Sequence, residues 1–346
     1  MKNLKVLFLG SLSGTSLDRL NGLKRLGCCV TAIDPRRMLP QSNLIDKIEW
    51  HISPSLIAPL VSRSISKLVS NDNFDLVFVD SGSLVSSSLI KSLKRSGSKV
   101  VNYNHDDPFG PRDWTRFEIY RKAAASYDLL VVVRKENINE AYECGAKNVL
   151  HLFRLADEVT HRPRPIDSAT MNQWAHDVIF IGTWMPERGP FIKGLIDRGV
   201  KVQVFGSGWS KAPEWSHIRS HVTERPLKGD DYAHAIQCAK VCLGLLSKDN
   251  RDLHTTRSLE IPSLGGLLCA QRTNEHIQMY QEGVEAVFWS DLDECATVCA
   301  DLLSNEVKRD QIAKAGHQRF LQSGHTTENM LRLVIANLFN DEPIGT

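Results

Sequence analysis

Short apolar runs of strand length alternate with helix-like patterns along this chain, and this alternation constrains the fold more than any other feature. In the first half the runs are LKVLFLG (4–10), CCVTAID (28–34), FDLVFVD (74–80), KVVNYN (99–104) and DLLVVV (128–133). The helices between them are predicted to end near Leu26 and to span 55–70, 88–97, 116–126 and 136–146. Strands that alternate with helices predict a mostly parallel sheet with helices on both faces.

A polar, proline-broken stretch at 154–172 interrupts this pattern and is typical of a linker. The alternation then restarts, with strands predicted at 177–184, 200–209, 241–246, 266–270 and 285–290. The chain has 346 residues, which exceeds the size at which a single hydrophobic core usually stops growing. We therefore predict an α/β fold of two Rossmann-like, doubly wound domains that face each other across a cleft, with bounds of 1–165 and 175–325.

Charge and cysteine content exclude several classes of protein. The net charge is +2 and no basic stripe with interleaved aromatic residues occurs, so no nucleic-acid partner is expected. None of the eight cysteines forms a C-x-x-C pair, which favours buried small hydrophobic residues in a reducing compartment over a metal site. The apolar start of the chain is interpreted as a strand, and the longest apolar runs are too short to span a bilayer. A cytoplasmic protein is expected.

The stretch RDLHTTRSLEIPSLGGLLCAQ (251–271) follows a predicted strand, and ligands of open α/β sheets bind beyond the carboxyl ends of strands. With two such domains, the default site is the cleft between them. Pro262 is tolerated only in the first turn of a helix, so the helix containing Leu259 should begin near Arg257 or Ser258. Thr255, Thr256 and Arg257 then lie at a helix N-terminus, where N–H groups and the helix dipole attract anions.

Three side chains of this stretch have a chemistry that suits a nucleotide or a sugar. Arg257 can donate two hydrogen bonds to a phosphate, or it can form a salt bridge that orients Glu260. Glu260 can accept from two vicinal ribose hydroxyls, and Asp252 can accept from a sugar hydroxyl. The alternative interpretation of both acids is helix capping on a solvated face.

The spacing Asp252-x7-Glu260 resembles the E-x7-E element of GT-B glycosyltransferases, with Asp in place of the first Glu. Residues 247–276 with EGVEAVFWSD (282–291) are similar to group 1 glycosyltransferases of the CgeB-like, spore-maturation type. Three further segments agree with that family in the same order: YNHDDPF (103–109), VIFIGTWMPER (178–188) and VFGSGW (204–209).

This resemblance implies a GT-B fold, a nucleotide-diphosphate sugar in the second domain and an acceptor in the first. It also implies that a last helix at 326–340 packs on the first domain, and that transfer needs no metal ion or other cofactor. By resemblance, Glu260 binds the donor ribose. Arg188 binds the diphosphate or is a surface charge, and the turn 206–209 lines the base or ribose pocket or is a plain tight turn. The expected donor-binding residues are Gly182, Thr183, Arg188, Gly206, Ser207, Gly208, Trp209, His254, Thr255, Thr256, Arg257 and Glu260.

The first half carries the remaining candidates. His105 follows the strand at 99–104 and can act as a base near neutral pH, as can Asp106 or Asp107 for an acceptor hydroxyl. A structural loop histidine is the alternative, and a metal site is disfavoured because three consecutive residues rarely converge on one ion. The expected catalytic residues are therefore His105, Asp106, Asp107 and Asp252.

The glycine loop after the first strand supplies the expected acceptor-side residues, which are Gly10, Ser13, Gly14 and Thr15. With Asp34 it has the outline of a dinucleotide-binding half, but its spacing is G-x3-G and not G-x-G-x-x-G. An NAD(P) oxidoreductase is therefore a weaker alternative.

The predicted function is transfer of a sugar from a nucleotide-diphosphate sugar to an acceptor hydroxyl, for example in polysaccharide biosynthesis. Retention of configuration at the transferred sugar is favoured. The acceptor can be a sugar, a lipid-linked molecule or another small molecule, and peripheral membrane association remains open. The alternatives are a GT-B-like sugar-nucleotide epimerase or phosphorylase and a non-catalytic sugar-nucleotide binder.

Overall fold

The computed structural model describes residues 3–47, 52–94 and 97–339. The chain divides into two compact units. The first contains the chain up to Phe153, the short segment Asp249–Arg251 and the chain from Thr326 onwards; the second contains Arg154–Lys248 and Asp252–His325. Within the described ranges, no helix combines the length and the apolar character needed to cross a membrane.

The first unit is built on a six-stranded sheet in which all neighbouring strands are parallel. Its strands are β1 (Lys5–Leu9), β2 (Cys29–Ile33), β3 (Leu76–Asp80), β4 (Lys99–Asn104), β5 (Leu129–Val132) and β6 (Val149–His151). The spatial order is β2-β1-β3-β4-β5-β6, so the direction of winding reverses between β1 and β3. Every residue of β3 is buried, as expected for an apolar strand covered on both faces.

Helices surround this sheet. They are α1 (Gly14–Arg25), α2 (Asn43–Lys47), α3 (Ala58–Leu68), α4 (Ser87–Leu93), α5 (Glu118–Ala123), α6 (Glu136–Glu143) and, from the end of the chain, α15 (Thr327–Phe339). Gly22 lets α15 approach α1, because a Cβ atom there would lie 2.7 Å from Cγ2 of Thr327. Residues 95 and 96 of the helix predicted at 88–97, and residue 340 of the last one, lie outside the described residues.

The second unit has another six-stranded parallel sheet. Its strands are β7 (His176–Ile181), β8 (Val202–Phe205), β9 (Val222–Thr223), β10 (Ala239–Gly244), β11 (Leu268–Gln271) and β12 (Val287–Trp289). The order is β12-β11-β10-β7-β8-β9, and the winding reverses between β7 and β10. The predicted α/β class, with parallel sheets and surrounding helices, is therefore confirmed in each unit.

The helices of the second unit are α7 (Ser168–Trp174), α8 (Arg188–Asp197), α9 (Trp215–Ile218), α10 (Gly229–Cys238), α11 (Arg257–Ser263), α12 (Asn274–Met279), α13 (Leu292–Ser304) and α14 (Glu306–Ser323). Helix α7 occupies part of the stretch expected to be a linker. Asp167 caps it by accepting a hydrogen bond from the N–H of Thr170, and Trp174 at its end is buried. A local cap and one apolar anchor therefore form a helix that the polar composition does not indicate.

Candidate functional site

The carboxyl ends of β7 and β10, where the second sheet reverses its winding, are the place at which an open α/β sheet binds ligands. Arg188, the first residue of α8, joins the loops that follow these two strands. Its guanidinium donates to the carbonyl of Thr183 (2.7 Å) after β7 and to those of Leu245 (3.3 Å) and Leu246 (3.2 Å) after β10. The structure thus places a largely buried positive charge at this point.

The loops after β7 and β8 cross at two of the predicted glycines. A Cβ atom on Gly206 would lie 2.0 Å from the carbonyl oxygen of Gly182, so only glycine fits at the crossing. Trp209 donates from Nε1 to the same carbonyl (2.9 Å) and is fully buried against Phe180. The indole of Trp209 therefore fixes the loop that carries Gly182 and Thr183, and it does not line an open pocket. Gly208, whose φ is 80°, and Ser207 complete the turn.

Helix α11 begins at Arg257, as the position of Pro262 predicts, but the proline lies in its second turn. A proline there leaves the carbonyl four residues earlier, that of Ser258, without its helical donor. The hydroxyl of Tyr280 replaces the missing N–H by donating to this carbonyl at 2.8 Å. The predicted start of the helix is therefore right, although the reasoning that confined Pro262 to the first turn is not.

Arg257 lies at the end of β7. Its Nε donates to the carbonyl of Ile181 (3.1 Å), and a terminal nitrogen contacts Oγ1 of Thr256 (3.2 Å). In the described part of the chain Arg257 forms no ion pair with Glu260, so the alternative in which it orients that acid is not supported. Arg257 and Arg188 each hydrogen-bond a carbonyl at or just after the end of β7, which brings two guanidinium groups to one edge of the sheet.

Glu260 is buried and belongs to a small polar cluster that the sequence does not indicate. Tyr232, in the first turn of α10, donates its hydroxyl to Oε2 of Glu260 (2.5 Å). His161 accepts from the N–H of Asp157 through Nδ1, so its Nε2 carries the proton and faces Oε1 of Glu260 at 3.6 Å. Burial and the Glu260 carboxylate raise the pKa of Tyr232 well above its ordinary value. Tyr232 thus acts as a hydrogen-bond donor that holds a buried carboxylate.

Asp252 and His254 make internal contacts. Oδ1 of Asp252 accepts from the guanidinium of Arg154 at 2.9 Å. His254 accepts from the N–H of Arg154 through Nε2 (2.8 Å) and faces Glu275 through Nδ1 (2.5 Å), so both ring nitrogens are engaged. The N–H of Thr255 donates to Oγ of Ser258, which uses one amide before the helix. These residues therefore fix the course of the chain between β10 and α11.

A cavity of about 190 Å³ lies beside Arg188, at the carboxyl ends of β10, β11 and β12. Phe191 and Trp289 stack on each other in its wall, with ring centroids 4.6 Å apart. Besides Arg188, its charged lining residues are Glu187, Lys248 and Asp291. This cavity could not be predicted from the sequence, because Phe191 and Trp289 come from segments far apart in the chain.

In the first unit, a cavity of about 340 Å³ collects most of the predicted acceptor-side and catalytic residues. It lies where the sheet order reverses between β1 and β3. Its lining includes Gly10, Ser13, Gly14, Thr15, His105, Asp106 and also Asp34. Nearby, the buried pair of Arg19 and Asp80 fixes the end of β3.

The three consecutive candidates after β4 separate in the structure. His105 is partly exposed, with Nε2 at 3.8 Å from Oδ1 of Asp106, and Asp106 also pairs with Arg116 at 3.2 Å. Asp107 is only 2% exposed and accepts from the N–H of Gly110 (3.0 Å) and from Asn137 (2.9 Å). His105 and Asp106 are therefore accessible to a ligand, whereas Asp107 is not.

One group of side chains in the described ranges has a composition that could hold a metal ion, namely Cys269, Cys295 and Cys299. Their sulfur atoms lie within 4.8 Å of one another and all three side chains are buried in the apolar core of the second unit. A structural zinc site uses four ligands, so this set is one ligand short of it.

Comparison with known families finds a similarity in the second half of the chain. A family model described as "Glycosyl transferase-like" matches residues 188–336. The match starts at Arg188 and includes the segment from Asp252 to Glu260, but it covers less than half of the 346 residues. No curated protein matches this chain.

The fold of the whole chain is that of solved GT-B glycosyltransferases, at low sequence identity. Sucrose-phosphate synthase from Thermosynechococcus elongatus aligns with a TM-score of 0.69 at 12% identity, over 98% of this chain and 100% of that one. HepE from Anabaena, solved with UDP and glucose, gives 0.68 at 13%, over 97% and 100%. A glycosyltransferase from Rickettsia africae gives 0.69 at 12%, over 99% and 100%.

The family model shows similarity to glycosyl transferases over residues 188–336, and the solved structures show the fold. The CgeB-like subgroup and the roles of individual residues stay predictions.

Proposed function

We propose that this protein transfers a sugar from a nucleotide-diphosphate sugar to an acceptor hydroxyl. The observation that carries the proposal is the pair of guanidinium groups, Arg188 and Arg257, at the point where the second sheet reverses its winding. Two fixed positive charges at a sheet edge suit a diphosphate, because charge-assisted hydrogen bonds to phosphate are about twice as strong as neutral ones. HepE, which shares the fold, was solved with UDP and with UDP-glucose.

In this proposal the two arginines stabilise the charge that develops on the leaving diphosphate, so the reaction needs no metal ion. Glu260, held by Tyr232, accepts hydrogen bonds from the ribose hydroxyls of the donor. The stacked rings of Phe191 and Trp289 provide an apolar wall next to Arg188 for another part of the donor. Retention of configuration is the proposed stereochemical outcome.

The acceptor is proposed to bind in the cavity of the first unit that His105 and Asp106 line. His105 is partly exposed and can take a proton from an acceptor hydroxyl near neutral pH. Asp107 drops out of the catalytic set, since its carboxylate is buried and fully engaged.

Thermal unfolding with a panel of nucleotides tests the donor site. UDP, GDP, dTDP and ADP, each alone and as a sugar nucleotide, are added to the protein. A ligand present at a hundredfold over its Kd adds about 2.7 kcal/mol to the free energy of unfolding. Glu260→Gln keeps an oxygen that can accept from Tyr232 but removes the charge, and it should weaken the preferred nucleotide about tenfold or more. Glu306→Gln, on the surface, is the matched control and should leave binding unchanged.

Product analysis distinguishes glycosyl transfer from its alternatives. A transferase releases the nucleoside diphosphate when an acceptor is supplied. An epimerase changes the sugar nucleotide without an acceptor, a phosphorylase requires inorganic phosphate, and an oxidoreductase changes nicotinamide absorbance. Binding of a nucleotide with none of these reactions across a broad acceptor panel would contradict the proposed activity and favour a non-catalytic binder.

A further inference from the structure

A segment of three residues, Asp249–Arg251, belongs to the first unit although the residues on both sides of it, Lys248 and Asp252, belong to the second. It lies between β10 and α11, directly before the loop that contains Asp252 and His254. We call Asp249–Arg251 the strap. Its contacts within the first unit show how it is held there.

The guanidinium of Arg251 makes two bidentate contacts. With Asp107, Nε donates to Oδ2 at 2.6 Å and a terminal nitrogen donates to Oδ1 at 2.8 Å. With Glu140, the terminal nitrogens donate to Oε1 at 2.8 Å and Oε2 at 3.0 Å. One guanidinium therefore binds both oxygens of each of two carboxylates. The planar fork of arginine permits this arrangement, and a lysine ammonium does not.

Arg134 holds the preceding residue of the strap. Its Nε donates to the carbonyl of Asn250 at 2.7 Å, and its Nη1 donates to the carbonyl of Asp106 at 2.7 Å. Arg251 itself has a φ of 51°, in the left-handed region that residues other than glycine rarely adopt. Such a conformation persists only where surrounding contacts determine it, and the contacts of Arg251 and Arg134 supply them.

The receptor for Arg251 is built into the first unit. Asp107 is 2% exposed and is oriented by the N–H of Gly110 and by Asn137, which also donates to Glu140 at 2.8 Å. Asn137 is itself fully buried on α6. Two carboxylates held by one buried amide form a rigid acceptor that fixes the position and the orientation of the guanidinium.

We propose that Asp107 and Glu140 are positioning residues that act through Arg251: they fix the strap, and thereby fix the start of the loop from Asp252 to Thr256. This inference rests on the proposed function, in which that loop leads into the donor residues Arg257 and Glu260. Asp107 then affects donor binding without contacting the donor, which differs from the catalytic role expected for it from the sequence.

Hydrogen exchange and donor affinity test this inference in wild-type protein, Asp107→Asn, Arg251→Lys and Arg251→Gln. In Asp107→Asn and Arg251→Gln, amide exchange in peptides covering 249–256 should accelerate at least tenfold, while the core strand β3 keeps its protection. Arg251→Lys keeps the charge but loses the fork, so its exchange should be intermediate. Glu328→Gln breaks the exposed contact with Arg25 in the same unit and is the control.

Kinetics with the preferred donor separates positioning from plain destabilisation. A positioning role raises KM for the donor about tenfold in Asp107→Asn at a temperature where the variant is fully folded, with a smaller change in kcat. Unchanged exchange at 249–256, or a donor KM within twofold of wild type, would overturn the inference. If the wild-type protein binds no nucleotide, the proposed function fails, and the exchange measurement still decides whether Asp107 holds the strap.

Discussion

The crossing of two loops at Gly206 and Gly182 allows a sharp test of how the donor edge of the second unit is built. In Gly206→Ala the new Cβ atom would start 2.0 Å from the carbonyl oxygen of Gly182, whereas ordinary contact begins at 3.4 Å. The loops must therefore separate by about 1.4 Å. Overpacking of this kind costs about 1–3 kcal/mol. Strain in the hydrogen bond from Trp209 to Gly182 adds about 1 kcal/mol.

Gly206→Ala should thus lower the free energy of unfolding by about 2–4 kcal/mol and the Tm by about 5–15 °C. Gly208→Ala, two residues later, is the matched control. Gly208 also has a positive φ, of 80°, but the nearest atom to its new Cβ would be 3.9 Å away. Only backbone strain of about 1–2 kcal/mol is expected there.

The two variants should differ further in nucleotide affinity. Gly206→Ala displaces Thr183, whose carbonyl holds Arg188, so it should weaken the preferred nucleotide about tenfold or more. Gly208→Ala should leave affinity within a factor of about two of wild type. Urea unfolding and titration calorimetry at a temperature where both variants are folded measure these effects. If Gly206→Ala is no less stable than Gly208→Ala, the crossing does not constrain the loops as argued.

Three further predictions concern single contacts. Burial favours a raised pKa for Asp107, but the hydrogen bonds from Arg251 and Asn137 outweigh it and lower the pKa. The resulting stability is therefore present above the unfolded pKa of about 3.9 and is lost as pH falls through the lower folded value. In Asp107→Asn the free energy of unfolding, measured with urea, should therefore fall less steeply between about pH 5 and pH 2. An unchanged pH dependence would contradict this prediction. Tyr232→Phe removes the hydroxyl that Glu260 accepts from and should cost about 1.5–3 kcal/mol in the same assay; Tyr142→Phe, at a residue that is 48% exposed, should cost almost nothing. Gly22→Val places carbon atoms against Thr327 and Leu331, so it should destabilise the packing of α15 on α1 by about 1–3 kcal/mol and expose α15 to limited proteolysis. Gly199→Ala is the control, because a Cβ atom there meets nothing within 4 Å. If Gly22→Val resists proteolysis as well as this control does, the packing argument is refuted.

The sequence predicts the regular elements well where periodicity is strong. The strand at 99–104 matches β4, and the runs near 4–10 and 74–80 contain β1 and β3. Strands β6 and β9 escape prediction, because their three and two residues are too short to show a period. The predicted start of α11 is right although Pro262 lies in the second turn, and the course of the helix past the proline depends on Tyr280, which no local pattern reveals.

For the individual candidate site residues too, some features can be predicted from the sequence and others cannot. Their place after a strand is readable from the sequence, so Arg188, Gly182 and Glu260 could be named as candidates. The partners of these side chains could not be predicted. The hydroxyl that donates to Glu260 belongs to Tyr232, 28 residues away, and the carboxylate that pairs with Arg251 belongs to Asp107, 144 residues away. For Asp107 the consequence is large, because burial and pairing change the proposed role from catalysis to positioning.

By itself, the sequence determined that this chain forms parallel α/β sheets, and it placed the chemically capable side chains after their strands. Apolar periodicity, glycine and proline act over a few residues, so they can be read locally. Only the tertiary structure decided which of those side chains meet. The strand orders β2-β1-β3 and β10-β7-β8 bring distant loops together, and the contacts and burial of each charged group depend on those neighbours.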